Sequence, residues 1–278
     1  MRKIGWLLLV VMTLLGCSKK NPTIVTVTPT KFVVAEIAVN GFPYAQYGET
    51  ISVYSDSALD LGQSWAELRF GTTQYGLFRK APFPGGFCIT DTLHLPGPGT
   101  LCSLVVTTDL GSGRAGGVSV PGEFQFYGPP LWDTLPWDGA RVDWSNARNA
   151  TWYDLLVHCS VYDTMWQPLA SADTVLLITG TFALIPKSFL QRDPAALYAI
   201  VSVNLCPHDG AFPGWGTTGR FSGDFKGYFY STYSNRNNYR YFYVGTPRFV
   251  QKMDLPPPPF SAGKRRQAIL RAFGVHVE

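Results

Sequence analysis

Charge is what this sequence has least of. Asp, Glu, Lys and Arg make up 15% of its 278 residues, against roughly 25% in an average soluble domain. The net excess, +4, gathers at the ends. Setting aside Arg2 and Lys3 at the start and Lys264, Arg265, Arg266 and Arg271 near the finish leaves 17 bases; without Glu278, 18 acids face them. A body of about −1 offers no basic stripe to a phosphate backbone, so nucleic acid is excluded as an expected partner.

Catalytic signatures are equally scarce. The four histidines are His94, His158, His208 and His276, and neither G-x-S-x-G nor H-E-x-x-H occurs. The acid pairs Asp133/Asp138 and Asp154/Asp163 have no separation fixed by sequence. "GWGTTG" at 214–219 matches G-x-G-x-x-G, but neither "CPHDGAFP" before it nor "RFSGDFKGYF" after it reads as the strand and helix a dinucleotide site needs. His158, Cys159, Cys206 and His208 are the residue types zinc takes. They lack C-x2-C spacing, however, and His158 and Cys159, adjacent on a strand, point to opposite faces. The expectation is no enzyme, no cofactor and no metal.

Long apolar runs are missing too. "IGWLLLVVMTLL" at 4–15 is too short to cross about 30 Å of hydrocarbon comfortably. Behind the basic start Met1-Arg2-Lys3 and before small Gly16, it has the layout of a secretory signal. Cys17 follows directly, then Ser18, Lys19 and Lys20. "LLGC" resembles the lipobox of bacterial lipoproteins, with Leu15 bulkier than the small residue usual there. The resemblance implies cleavage before Cys17 and acylation of its thiol. It makes residues 1–16 a signal peptide and anchors the chain to a membrane in the bacterial cell envelope, outside the cytoplasm (the outer membrane if the host is Gram-negative).

What the chain has in quantity is aromatic residues, 14%, with 28 Gly and 21 Pro. Together with few charges, these favour short strands and tight turns over helices. After the Thr/Pro-rich tether 17–31, strand-like alternation starts at "FVVAEIAVNG" and continues through "TISVYSD", "SWAELRFG", "FCITDTLHL", "LCSLVVTTDL" and "GGVSVPGEFQF". Short strands at regular spacing suggest a first, Ig-like sandwich over 32–127. A second set follows over 128–247. Its segment "VDWSNARNATWYDLLVHC" resembles the B-to-C region of fibronectin type III domains, through Val142, Trp144, Ala150, Thr151, Tyr153, Leu155 and Val157. "TGTFALIPKSFLQRDPAALYAIVSVNL" resembles their E-to-F region, although its apolar phase runs through Ala199, Val201, Val203 and Leu205 and not through Tyr198. The expected fold class is all-β: two antiparallel β-sandwiches, Ig-like and fibronectin III-like, in series. Residues 248–278 read as a Pro-rich linker and basic tail. There "SAGKRRQAILRAFG" can form a short helix with Ile269, Leu270 and Phe273 on one side; alone, such a helix is marginal, and a solvated tail is expected.

Cys88, Cys102, Cys159 and Cys206 fall two and two in the sandwiches. In an oxidising envelope they are candidates for disulfides, Cys88 with Cys102 and Cys159 with Cys206. The aromatic stretch 225–243 reads as a closing hairpin or strand pair with "SNRNN" at its tip, and carries aromatics in both alternation phases. Tyr228, Tyr230, Tyr239 and Tyr241 are the candidate ligand-binding residues, since aromatic platforms beside Asn and Arg suit sugar rings and peptides. The leading functional expectation is a structural or adhesive, protein-binding envelope module. The alternative is a glycan-binding lipoprotein using the tyrosine-rich hairpin, and an envelope hydrolase comes third.

Overall fold

Alternating apolar residues become strands here, and strands dominate. The computed structural model describes residues 32–40, 49–55, 65–77, 90–91, 96–108, 111–165, 167–212, 218–224, 226–245 and 262–273. Residues 1–31, with the signal, Cys17 and most of the tether, lie outside the described residues, as do Cys88 and His94.

Seven strands build the second sandwich. β8 (Phe126–Gly128), β10 (Ala140–Trp144) and β13 (Phe182–Ile185) form a three-stranded sheet in the order 13-10-8. Facing it are β12 (Pro168–Ile178), β11 (Trp152–Tyr162), β14 (Tyr198–Gly210) and β17 (Tyr239–Gly245), hydrogen-bonded in that order. This is the sandwich that the fibronectin-like resemblance implied. Val142 and Trp144 from one sheet, and Tyr153, Leu155, Val157, Val201, Val203 and Phe242 from the other, share one core. Tyr153 packs edge-on to Trp144, at 5.5 Å between rings, and its hydroxyl donates to Asn146 Oδ1 at 2.7 Å. The apolar phase of β14 is the one read from sequence: Ala199, Val201, Val203 and Leu205 are buried inward, while Tyr198 stacks on Tyr162 at 5.2 Å.

The first sandwich sets β3 (Trp65–Phe70), β4 (Thr73–Leu77), β6 (Leu101–Thr108), β7 (Gly111–Ser119) and β15 (Ser222–Gly223), ordered 15-7-6-3-4, against an extension of the large sheet. That extension runs from β14 through β16 (Lys226–Ser234) to β1 (Phe32–Asn40), β2 (Glu49–Ser55) and β5 (Thr90–Asp91). The stretches 32–127 and 128–247, expected as separate sandwiches, thus share one nine-stranded sheet. β16 comes from the second stretch and runs parallel to β1 along its whole length. It delivers Phe229 and Tyr233 to the first core beside Ile37, Leu68, Leu104 and Val106. A parallel pair needs a long crossover, and here everything between Asn40 and Lys226 is that crossover, so local pattern could not signal it.

Three sequence expectations are corrected. The aromatic stretch is not a hairpin. β16 and β17 both run antiparallel to β14: His208 pairs with Thr232 and Asn204 with Tyr239. They are one long strand interrupted by a short 3-10 turn, Arg236–Asn238. Asn235 Oδ1 accepts from Asn237 N, and buried Asn238 donates through Nδ2 to Leu205 O at 2.7 Å and Tyr233 O at 3.2 Å. The asparagines that read as a hairpin tip therefore hold a bulge.

The disulfides are also corrected. Cys102, Cys159 and Cys206 are free and buried. Cys159 sits opposite Val201 and Cys206 opposite Asp154, an offset of five residues, or about 17 Å along the sheet and an odd number of pleats. The two thiols lie on opposite faces and cannot meet. Burial pushes all three up, Cys159 and Cys206 to about 11 and Cys102 to about 12.

Finally, residues 262–273 of the tail are not solvated as expected. Ala262–Ala272 is a helix whose Ile269, Leu270 and neighbouring Phe273 pack with Trp152, Tyr230 and Ala211 on the outer face of the large sheet.

Candidate functional site: an aromatic groove at the end of the second sandwich

The four candidate tyrosines share the outer face of the sheet. From Asn204 to His208, β14 advances four residues while its neighbour runs the seven from Tyr239 back to Thr232. The odd surplus restores the alternation, so Tyr228 and Tyr230 on one side of the bulge and Tyr239 and Tyr241 on the other all point outward. Their surroundings differ. Tyr230 is buried, and Tyr228 and Tyr230 lie 4.6 and 5.7 Å from the Phe273 ring beneath the C-terminal helix. Tyr239 and Tyr241 instead line a groove of about 600 Å³ with Phe124, Gln125, Phe126, Leu131, Trp132, Asn237 and Arg240.

Each wall has a local cause. Phe124 and Phe126 alternate into β8 and meet edge-on at 5.2 Å. Trp132 follows the Pro129-Pro130 turn and takes a left-handed backbone, φ 63°, which costs a non-glycine residue roughly 1–2 kcal/mol. Two contacts hold it there. Its N–H donates to Tyr241 O at 2.7 Å, and its ring stacks on Tyr241 at 5.1 Å and 17°. One residue on, Tyr243 N donates to Asp133 O at 2.7 Å, and the two-residue β9 (Thr134–Leu135) pairs with Tyr243 and Val244. The free edge of β17 is thereby capped beside the groove.

Arg240 shares the inward phase of Phe242 and Val244 and sits opposite Val203, its guanidinium 5.2 Å from the centre of the Phe126 ring. Burial lowers its pKa. Among the described residues it has no acidic partner, and its Nε is enclosed without a hydrogen bond. The Tyr241 hydroxyl is likewise enclosed and unbonded, and burial, with Tyr239 beside it, pushes it up to about 12. Exposed Gln125 and Asn237 leave amide groups at the rim. Trp132, Phe124, Phe126 and Arg240 were not singled out from the sequence. "EFQF" carries a period-two signal, but nothing local brings it to Tyr241.

A second polar cluster lies under the C-terminal helix. His208 Nε2 and Asp154 Oδ2 are 2.5 Å apart, and Arg265 Nε donates to Asp154 Oδ1 at 2.5 Å. Arg265 also donates to Asn204 O at 2.9 Å and Asn204 Oδ1 at 2.6 Å. The side chains of His208 and Asp154 are fully buried, with Trp152 stacked on the imidazole at 3.9 Å. Burial alone would raise the Asp154 carboxyl, but the Arg265 charge and His208 outweigh it and hold it below its ordinary value. Lys264 pairs with Asp173, which also meets His158 at 2.6 Å. Asp209 sits on the opposite face and accepts from Ser119 N at 2.6 Å. Asp163 lies beyond the far end of β11 from Asp154, where it caps a turn through Met165 N and Gln167 N, so those acids form no pair. Gly219, at the end of the glycine-rich loop, leads into β15. Residues 213–217 of that loop and Phe225 lie outside the described residues.

No protein-family profile matches the chain, and no curated protein does. Among solved structures, the crystal structure of chicken CNTN1 FN1–FN3 domains aligns with 69% of this chain at 10% identity and a TM-score of 0.25. The alignment spans 63% of that chain's length. At such values the likeness carries no argument, and the all-β sandwich fold rests on the strand order itself.

Proposed function

We propose that this chain is a lipid-anchored protein of the bacterial envelope whose all-β body is a binding module and not an enzyme. The anchor rests on "LLGC" and Cys17; acyl chains add about 0.8 kcal/mol per buried CH2, enough to hold a protein at a membrane. Labelled palmitate should be incorporated by the native chain and not by Cys17→Ser. A Cys17→Ser chain that still takes label, or still fractionates with membranes, refutes the anchor.

The observation that carries the binding role is the groove around Trp132 and Tyr241, where aromatic faces, rim amides and a cation converge. It favours a saccharide over an extended peptide. A peptide adding to a sheet uses the edge N–H and C=O groups, and at Tyr241 and Tyr243 these already bond Trp132 and Asp133. Sugar rings use what remains: stacking faces and amides. Trp132→Ala should abolish retention on immobilised envelope polysaccharide while leaving the circular dichroism spectrum unchanged; equal retention refutes the reading.

Adhesion to a protein partner is a second reading, favoured by a different surface. Tyr127, Phe182 and Leu184 stand 71%, 45% and 64% exposed on the outer face of the three-stranded sheet. Replacing all three with Ser should then remove capture of a partner from envelope fractions, and Trp132→Ala should not.

A further inference from the structure

Arg240 is a half-buried cation with no acidic partner among the described residues, and the groove's other buried, unbonded polar atom, the Tyr241 hydroxyl, lies on the next residue. The guanidinium stacks on Phe126, its Nε has no hydrogen bond, and no described carboxylate pairs with it. The nearest acid in sequence to Phe124 is Glu123, which already accepts from Tyr233 Oη at 3.3 Å and Asn235 Nδ2 at 3.2 Å. Leaving a buried polar group unbonded costs about 1–3 kcal/mol, and more for a charged one. The Arg240 Nε and the Tyr241 hydroxyl are enclosed and out of a ligand's reach, but Arg240 as a whole is only half-buried, and an anionic acceptor meeting its guanidinium forms a charge-assisted bond roughly twice as strong as a neutral one.

We infer that the groove selects acidic saccharides: the sugar ring lies against the Trp132 and Tyr241 side, and its carboxylate accepts hydrogen bonds from Arg240. The geometry allows both at once, because Arg240 and Tyr241 are successive residues that line one groove from opposite faces of β17. Arg240 supplies charge and donors, Trp132 and Tyr241 supply aromatic surface, and the exposed amides of Gln125 and Asn237 suit ring hydroxyls. The inference rests on the saccharide reading above, but the two fail separately.

The test uses the full-length chain in detergent and matched probes: tetragalacturonate, a hyaluronan tetrasaccharide and N-acetylmuramic acid, each against its methyl ester, by calorimetric titration at up to millimolar ligand. At least one acid should bind about tenfold more tightly than its ester, a difference of about 1.4 kcal/mol. Added salt should erode that preference. Arg240→Gln should bring the acid down to the affinity of the ester, whereas Trp132→Ala should lose both. Thermal melts of each variant separate a lost contact from a lost fold. Equal binding of acid and ester, or a preference that survives Arg240→Gln in a folded chain, overturns the inference and leaves the saccharide reading intact. Binding of none of the acids overturns both.

Discussion

Replacing Arg265 with Met is the sharpest test of how the C-terminal helix is held. The substitution keeps an unbranched apolar stem but removes the guanidinium from Asp154 and Asn204. Asp154 then stays fully buried with His208 as its remaining polar neighbour. Removing one partner of a buried pair costs about 3–5 kcal/mol, because the surviving charge has lost its compensation. Two routes are open to the variant. It can keep the helix docked and lose that stability, which at roughly 2–4 °C per kcal/mol lowers the melting temperature by about 10 °C. Otherwise the helix releases, water reaches Asp154, and amides 262–273 lose their protection from hydrogen exchange, since an isolated helix of this length is marginal. Calorimetry and hydrogen exchange read the two routes separately. Adding Asp154→Asn should restore part of the loss, as coupled neighbours do, by about 0.5–3 kcal/mol. A variant that melts within about 1 °C of the native chain and keeps those amides protected would refute the claim that this ion pair anchors the helix.

Acid should loosen the same helix. The folded pKa of Asp154 lies below its reference value of 3.8, so its contribution is complete above that value and disappears as pH falls through the lower, folded one; protection of 262–273 should hold at neutral pH and fall in that acidic range. Asn238→Ala should cost about 1–3 kcal/mol in urea unfolding, because it strips donors from the buried Leu205 and Tyr233 carbonyls, whereas a solvated hairpin tip would tolerate it. Cys102, Cys159 and Cys206 should alkylate completely in denaturant without reductant, and slowly when folded, since burial keeps all three protonated; a mass showing a Cys159–Cys206 bridge would refute the strand register.

Much of the second sandwich was legible from residues alone, and the reason is local. Trp144 and Tyr153 end one strand and open the next across a short loop, and the inward phase of Ala199, Val201, Val203 and Leu205 shows directly in the alternation. Strand alternation repeats every two residues, so a few residues suffice to reveal it. The groove was half legible: the tyrosine surplus pointed to residues 225–243, but Tyr228 and Tyr230 went under a helix, while Tyr239 and Tyr241 met Phe124, Phe126 and Trp132 from over a hundred residues earlier.

By itself the sequence determined the all-strand class, the lipobox-like start and the weak charge of the body, because composition and short-range periodicity carry them. Tertiary structure alone decided that β16 joins β1, that "SNRNN" bulges a strand where a turn back was expected, that Cys159 and Cys206 face apart, and that Arg265 finds Asp154. Those outcomes depend on register and on which distant strand lies alongside. Side-chain period is two, so a single-residue shift exchanges the faces, and no local pattern records the sum of such shifts along a chain.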